Sequence, residues 1–403
     1  MRRSRRRCLR LVLLLALLLL PAAASAAPEE DAGREGQAQE DATIEEGVSA
    51  WMTQLDPAAW EEIYSLLPED ARTLWDGTDL LSLIGDYALS ESLPTAESAL
   101  SAIGDQLIRR AKQDLPLLLT LMGVALLSAF AGALSGEGSV AKTAGFVCRC
   151  FALTAVLAAL AGRTKLCMEG MTALVRFMEL VLPALFALLT AMGSVAAVGV
   201  FQPATALLCG SVAACMRTVV LPVSVVTGVV EMIDRLGGTD RISGIAKMLK
   251  KALKWIIGAI TTVYIGVMTI SGMSSAGFDG LSIRTAKYAA SSMVPVVGGM
   301  VSGSFDTVLG CATLVKNAVG TAAIFLSLSI VLLPLVQTVA FMFVLRLAAG
   351  LSGPVAERRL IGIYDSAADA LQYVVASLIA VALMFVVTVG LLMALTNYMT
   401  GGG

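Results

Sequence analysis

The chain has 403 residues, of which 57% are hydrophobic and only 15% are charged, and its net charge is −2. Soluble domains carry about 25% charged residues, so this composition excludes an ordinary soluble protein and predicts an integral membrane protein. The sequence contains no histidine, which removes the commonest general base and the commonest metal ligand from consideration.

The N-terminus has the three parts of a secretory signal. Six arginines fall within the first ten residues, an unbroken apolar run covers residues 11–20, and Ala24-Ser25-Ala26 forms an acceptable cleavage site. The apolar run is too short for a comfortable membrane span. We therefore predict a signal peptide over residues 1–26, with an uncleaved membrane anchor as the alternative.

Residues 27–114 are strongly acidic, with twenty acidic residues against five basic ones. We predict a disordered acidic linker over residues 27–43. From residue 44 to residue 114, apolar residues recur at three- and four-residue steps, which predicts a small exported helical domain. This domain contains no cysteine, and it serves either as a docking surface or as a collar packed on the chain's own spans.

Residues 115–400 are predicted to form a multi-span membrane domain, which makes the fold class an all-α, polytopic membrane protein. Apolar stretches of sufficient length predict spans at residues 115–134, 143–161, 174–200, 255–275, 321–345 and 371–395. The stretch 203–230 carries Arg217 and Pro222 in its middle, so it bends, re-enters the membrane or crosses it twice.

A basic amphipathic helix is predicted over residues 231–254. Its apolar residues share one face and its six basic residues favour a membrane surface, so we expect it to lie there through Ile245, Met248, Leu249 and Leu253. Residues 346–369 form a second basic segment, predicted as a loop, and both segments should be cytoplasmic. The same counting places residues 162–176 outside despite their basic side chains, a conflict that the sequence leaves open.

The segment 284–320 is rich in small residues and is the predicted centre of the membrane domain. Gly299 and Gly303 have the spacing that lets helix backbones approach closely, and Pro295 would break the helix. Because the number of crossings between the two basic segments must be even, we expect this segment to re-enter from the outer side or to cross twice. The predicted packing and interaction residues are Pro295, Gly298, Gly299, Gly303, Asp306, Lys316 and Asn317. The alternative is a tightly packed helix pair that binds no ligand.

Two charged residues within predicted spans, Glu179 and Arg217, are interpreted as a structural or pathway-lining pair, because charges in hydrocarbon usually face a bundle interior or an aqueous cavity. No motif for a catalytic, cofactor-binding or metal site is present. The seven cysteines lack metal-site spacing and are interpreted as small packing residues.

The run KYAASSMVPVVGGMVSGSFDTVLG, followed by LVKNAVG, resembles the stage III sporulation protein AE family of endospore-forming bacteria. The order of a signal-like start, a polar segment and many spans agrees with that family. The resemblance implies a protein of the outer forespore membrane, made in the mother cell. It implies membership of a multi-protein channel complex that links mother cell and forespore and is required for endospore formation.

The resemblance also implies the partners, which are the lipid bilayer and the other membrane proteins of that complex. Self-association into a homo-oligomer is compatible with this interpretation, no nucleic-acid partner is predicted, and the chain is not expected to be an enzyme. The alternative function is a self-contained secondary transporter or permease. A transporter of that kind often shows inverted repeats, and the sequence shows none.

Overall fold

The computed structural model describes residues 108–109, 112–135, 139–237, 243–293, 298–354 and 356–400. This part of the chain contains helices and no strand. Its elements are α1 (Leu115–Ser135), α2 (Ser139–Ala191), α3 (Val195–Cys215), a π-helical turn (Met216–Val220), α4 (Leu221–Gly237), α5 (Ser243–Met293), α6 (Gly298–Ser352) and α7 (Arg358–Thr400). The predicted signal peptide, acidic linker and nearly all of the predicted exported domain lie outside the described residues.

Within the described residues, five helices are long and apolar enough to cross a membrane. They are Thr143–Ala191, Val195–Gly237, Ser243–Gly272, Gly310–Ser352 and Arg358–Ala394. A shorter apolar helix, Leu115–Phe130, precedes them. The prediction of an all-α, polytopic membrane protein is therefore confirmed. The first predicted span, 115–134, agrees with α1 in its helix bounds, and its crossing of the membrane stays a prediction.

Successive long helices run in opposite directions. Arg149 near the start of α2 pairs with Glu357, which lies in the connection between α6 and α7. Farther along α2, Gly170 lies against Pro334 of α6, so these two helices are antiparallel. The connections α1–α2, α4–α5 and α6–α7 consequently lie at one end of the bundle, which we call the connection end. The α2–α3 turn lies at the other end, where α5 also ends and α6 begins.

The helix α2 corrects two of the predicted spans. Residues 143–161 and 174–200 were expected to be separate, but α2 runs without a break for 53 residues, or about 80 Å at 1.5 Å per residue. It ends at Ala191, where Gly193 adopts a positive φ of 85° and begins the turn into α3. Charged residues within 162–176 interrupt the hydropathy but are good helix formers, so they divide the apolar pattern without ending the helix.

The continuous helix α2 changes how residues 162–176 are placed. The direction in which the chain crosses the membrane between Asp114 and Glu231 stays a prediction, because the apolar helix Leu115–Phe130 is shorter than the five helices that are long enough to cross. Residues 162–176 are not an outer loop but a helical stretch of α2.

The stretch 203–230 is continuously helical and contains a π-helical turn. The backbone N–H of Leu221 donates to the carbonyl oxygen of Met216, five residues earlier. Pro222 follows at once, and a proline ring clashes with the carbonyl four residues before it in a regular α-helix. The wider π-helical turn places its extra residue just before this proline, so the helix continues without crossing twice.

The prediction of a separate surface helix at 231–254 is wrong. The helix α4 ends at Gly237, and α5 begins at Ser243 and continues through residue 254 into the next span. Leu253 is fully buried, whereas Ile245 and Met248 are exposed, so these residues do not act together as one membrane-binding face. The basic segment 346–369 is likewise not one loop, because α6 extends to Ser352 and α7 begins at Arg358.

The helices α6 and α7 form the centre of the bundle and pack against α1 and α2. The rings of Phe177 and Phe385 meet edge to face with their centroids 5.5 Å apart. Tyr364 of α7 is fully buried and donates its hydroxyl to the carbonyl oxygen of Leu121 in α1, at 3.0 Å. On the other side, the buried hydroxyl of Tyr264 in α5 is hydrogen-bonded to Thr388 of α7 at 2.6 Å.

Candidate functional site

A network of ion pairs joins four helices near the connection end. The ammonium group of Lys250 in α5 lies 2.7 Å from Glu231 of α4 and 2.8 Å from Asp369 of α7. Asp369 also pairs with Arg346 of α6, which pairs in addition with Asp365. Lys250 and Glu231 are only 21% and 16% exposed, so solvent screens their attraction less than at an open surface.

This network confirms one part of the orientation prediction. The segments 231–254 and 346–369 were expected on the same side of the membrane, and the network brings them together at one end of the bundle. The assignment of that end to the cytoplasm stays a prediction. The individual pairings were missed by the sequence analysis, because residues 119 positions apart in the chain carry no local signal of their contact.

A second ion pair links α2 to the residue just before α1. Arg163 pairs with Asp114, donates to the side-chain oxygen of Gln337 at 3.1 Å, and lies over the ring of Phe341 at 5.3 Å from its centroid. Charge, hydrogen bonding and the ring face together satisfy this half-buried guanidinium. The arrangement holds α1 and α6 against α2.

Lys316 is the most deeply buried cation among the described residues, with an exposed fraction of 1%. Its ammonium group donates to the carbonyl oxygen of Met393 in α7 at 2.8 Å. Next to it, the side-chain oxygen of Asn317 is buried without a hydrogen-bond partner. Gly320, one turn further on, packs so closely on α7 that a Cβ atom there would lie 2.6 Å from the sulfur of Met393.

The structure places the other predicted packing residues around the break between α5 and α6. Pro295 lies outside the described residues, between the end of α5 at Met293 and the start of α6 at Gly298. Gly298, Gly299, Gly303 and Asp306 belong to the beginning of α6, and their packing lies outside what the structure describes. The re-entrant course of 284–320 and the close approach at these glycines therefore stay predictions.

Glu179 and Arg217 are not brought together. Arg217 lies in the π-helical turn and donates to the hydroxyl of Thr172 in α2 at 3.3 Å. Both charged residues are exposed on the outer surface of the bundle. They share this surface with Lys165, Glu169 and Arg176 of α2, which fall within the residues 162–176 that were predicted to lie outside the membrane.

A match to a known protein family identifies the family of this chain. The family model described as stage III sporulation protein AE matches residues 85–396, which include every described helix from α1 to most of α7. The chain belongs to this family. The family is a stage III sporulation family, so the chain has a role in sporulation.

One curated member of the stage III sporulation protein AE family shows how far the similarity extends. The stage III sporulation protein AE of Bacillus subtilis (strain 168) is 24% identical to the chain over 229 residues. The aligned region covers 57% of this chain and 57% of the relative, so the similarity spans little more than half of either protein. No solved structure matches the chain.

The described residues also bear on metal chemistry. Among them, no group of three or more histidine, cysteine, aspartate or glutamate side chains is arranged to hold a metal ion. The described cysteines are free thiols. Cys167 lies 3.1 Å from the hydroxyl of Thr338 and Cys209 lies 3.0 Å from that of Tyr264, so both help to pack neighbouring helices.

Proposed function

We propose that the chain is a polytopic membrane core component of the channel complex that links mother cell and forespore and is required for endospore formation. It acts in the outer forespore membrane, where it contacts the lipid bilayer and the other membrane proteins of the complex. Its role is structural and conductive rather than enzymatic, and it uses no cofactor.

One observation carries this proposal. Four charged residues of α2 and Arg217 lie on the outer surface of the bundle, level with stretches of α6 and α7 that contain no charge. Charged side chains in hydrocarbon are costly and usually face protein or water. A bundle that turns such residues outward is suited to being one part of a larger membrane assembly.

The same observation disfavours the alternative of a self-contained transporter. Secondary transporters commonly bind substrate near the middle of the membrane, between broken helices in the interior of the bundle. In the described part of this chain, α6 and α7 are continuous and pack against each other, and their apolar side chains Phe341, Leu371 and Phe385 are buried. The interior at that level is packed, and the charges lie outside it.

The proposal is tested in sporulating cells of the organism that carries the gene. The gene is deleted and then restored with a version carrying a fluorescent and affinity tag. We expect the deletion to abolish heat-resistant spores, the restored protein to surround the engulfed forespore, and its purification in mild detergent to recover other sporulation membrane proteins. An unrelated tagged multi-pass protein serves as the control for general membrane labelling and for nonspecific recovery.

Two results would contradict the proposal. One is a normal yield of heat-resistant spores from the deletion strain. The other is solute uptake, driven by an ion gradient, into liposomes that contain the purified chain alone, which would identify it as a self-contained transporter.

A further inference from the structure

Four charged residues lie along one face of α2. Lys165, Glu169, Arg176 and Glu179 follow one another at steps of four, seven and three residues, which places them in one row on a helix. All four are exposed, and the side chains of Lys165 and Glu169 are 73% and 60% exposed. We call this row, together with Thr172, which lies within it, the charged face.

Arg217 extends the charged face onto the neighbouring helix. Its guanidinium is exposed and donates to the hydroxyl of Thr172 at 3.3 Å. The residue lies in the π-helical turn, and π-helical turns inside α-helices occur frequently at functional sites. Positive and negative residues therefore share one continuous surface formed by two helices.

Contacts with α6 and α7 fix the level of the charged face along the bundle. Cys167 lies 3.1 Å from Thr338, Gly170 lies against Pro334, and Phe177 meets Phe385. The partners Thr338 and Pro334 fall within residues 317–345 of α6, and Phe385 falls within residues 370–394 of α7. Neither of these two stretches contains a charged residue, so the charged face is level with the most apolar part of the bundle.

Lipid is an unsuitable neighbour for a surface of this kind. Long basic side chains near the ends of a span can extend to the membrane interface. Lys165 lies near the connection-end limit of the charge-free stretches, close to the Arg163–Asp114 pair, but Arg176 and Glu179 are next to Phe177 and therefore lie well inside them. A charged residue at that depth is expected to face protein or a water-filled cavity. The neighbouring apolar surface of the bundle is different in character, because Leu207 of α3 and Val263 of α5 are 73% and 60% exposed there.

We propose that the charged face lines a water-filled path through the membrane, with the opposite wall supplied by other chains of the assembly. This inference rests on the proposed function, since a single chain presents one wall and not a closed conduit. It assigns to Lys165, Glu169, Arg176, Glu179 and Arg217 the role of keeping that wall hydrated. Arg217 and Thr172 hold the two helices of the wall together.

Thiol labelling in native membranes tests the inference. The seven cysteines are first replaced, and single cysteines are then introduced as Thr172→Cys and Arg176→Cys on the charged face. Leu207→Cys and Val263→Cys are the matched controls. Both control residues are exposed and lie at the same level of the bundle as the charged face. Their near neighbours Cys209 and Tyr264 are hydrogen-bonded to each other. Tyr264 is also hydrogen-bonded to Thr388, which is three residues after Phe385.

Open membrane fragments from sporulating cells are treated with a membrane-impermeant maleimide, and total thiol is measured after denaturation. We expect the two face positions to react at least about tenfold faster than the two controls, because the reactive thiolate forms in water and not in hydrocarbon. If Arg176→Cys fails to accumulate, Glu169→Cys replaces it in the same assay.

Two other patterns would overturn the inference. Equal, fast labelling of all four positions would mean that this level of the bundle lies outside the membrane. Equal protection of all four would mean that the charged face is covered by lipid or by a dry protein contact. Because labelling is read independently of spore yield and of co-purification, a failure here is distinguishable from a failure of the proposed function.

Discussion

Lys250 and Asp369, which are 119 positions apart in the chain, form an ion pair of 2.8 Å that joins the first turns of α5 to α7. Asp369 also pairs with Arg346, and Lys250 also pairs with Glu231. Each of the two residues therefore has two partners of opposite charge. The pair stands in the middle of a network that holds four helices in register at the connection end.

Asp369→Asn should destabilise the bundle, because it leaves both Lys250 and Arg346 with one charged partner fewer. We expect the free energy of unfolding to fall by about 1–2 kcal/mol. This is a low value for hydrogen bonds to charged groups, because the Asp369 side chain is 37% exposed. The measurement is the apparent unfolding temperature of the purified protein in detergent. Asp365→Asn, which touches Arg346 alone, is the control and should cost less; equal values for the two variants would speak against the central position of Asp369.

Gly228→Ala should separate α4 from α7. A Cβ atom at Gly228 would lie 2.6 Å from the Cβ of Ala370, and neither atom belongs to a flexible side chain, so the backbones must move. We expect this overpacking to lower the free energy of unfolding by about 1–3 kcal/mol. Gly258→Ala, at a helical position with no atom within 4 Å of the added Cβ, is the control and should be neutral or slightly stabilising.

In Gly320→Ala, by contrast, the added methyl group meets the flexible side chain of Met393. This variant should be milder than Gly228→Ala in the same unfolding measurement. A Gly228→Ala protein that unfolds at the wild-type temperature would show that the close approach of α4 and α7 is not required.

Lys316→Met should keep the bundle as stable as the wild type or make it more stable. The substitution preserves most of the side-chain volume and removes a charge that is 1% exposed and donates to the carbonyl of Met393, and burying a charge is costly. Lys316→Ala should lower the free energy of unfolding by about 2 kcal/mol or more, because the shorter side chain leaves a cavity. Unfolding temperatures of both variants are compared; a Lys316→Met protein that is less stable than Lys316→Ala would mean that the charge itself is required for folding.

Gly299→Leu and Gly303→Leu should abolish sporulation while the protein still inserts into the membrane. Helix packing in membranes depends on close contact between backbones, and one bulky side chain at either position would prevent it. Gly310→Leu is the control on the same helix, because the first added atom, the Cβ, would have no atom within 4 Å. Spore yield, protein level and membrane fractionation are measured together; normal spore yield from both variants at normal protein level would show that these glycines face lipid.

The connections 238–242 and 353–357 should both be cytoplasmic. The ion pairs of Lys250 place their neighbourhoods at the same end, and basic residues are concentrated there, including Arg235, Lys247, Arg358 and Arg359. Reporter domains that are active either in the cytoplasm or in the exported compartment are inserted into each connection in turn. If one connection is cytoplasmic and the other is exported, the two connections do not lie at the same end of the bundle. If both are exported, the predicted orientation is the reverse of the true one.

Local features of the sequence determined the class of protein and several of its elements. Composition and the spacing of apolar stretches predicted an all-α, polytopic membrane protein, and the bounds of the apolar stretch 115–134 coincide with those of the helix α1. These features are readable because hydropathy and helix length depend on neighbouring residues.

Only the tertiary structure decided where charges interrupt a span and where they do not. The charged stretch 162–176 divides the hydropathy of α2 but leaves its backbone continuous over 53 residues, because helical hydrogen bonds form regardless of side-chain charge. Arg217 contacts Thr172 rather than Glu179, and Lys250 pairs with Asp369. Such partners are chosen by the rotation and register of packed helices, which depend on contacts across the whole bundle and not on any one stretch of sequence.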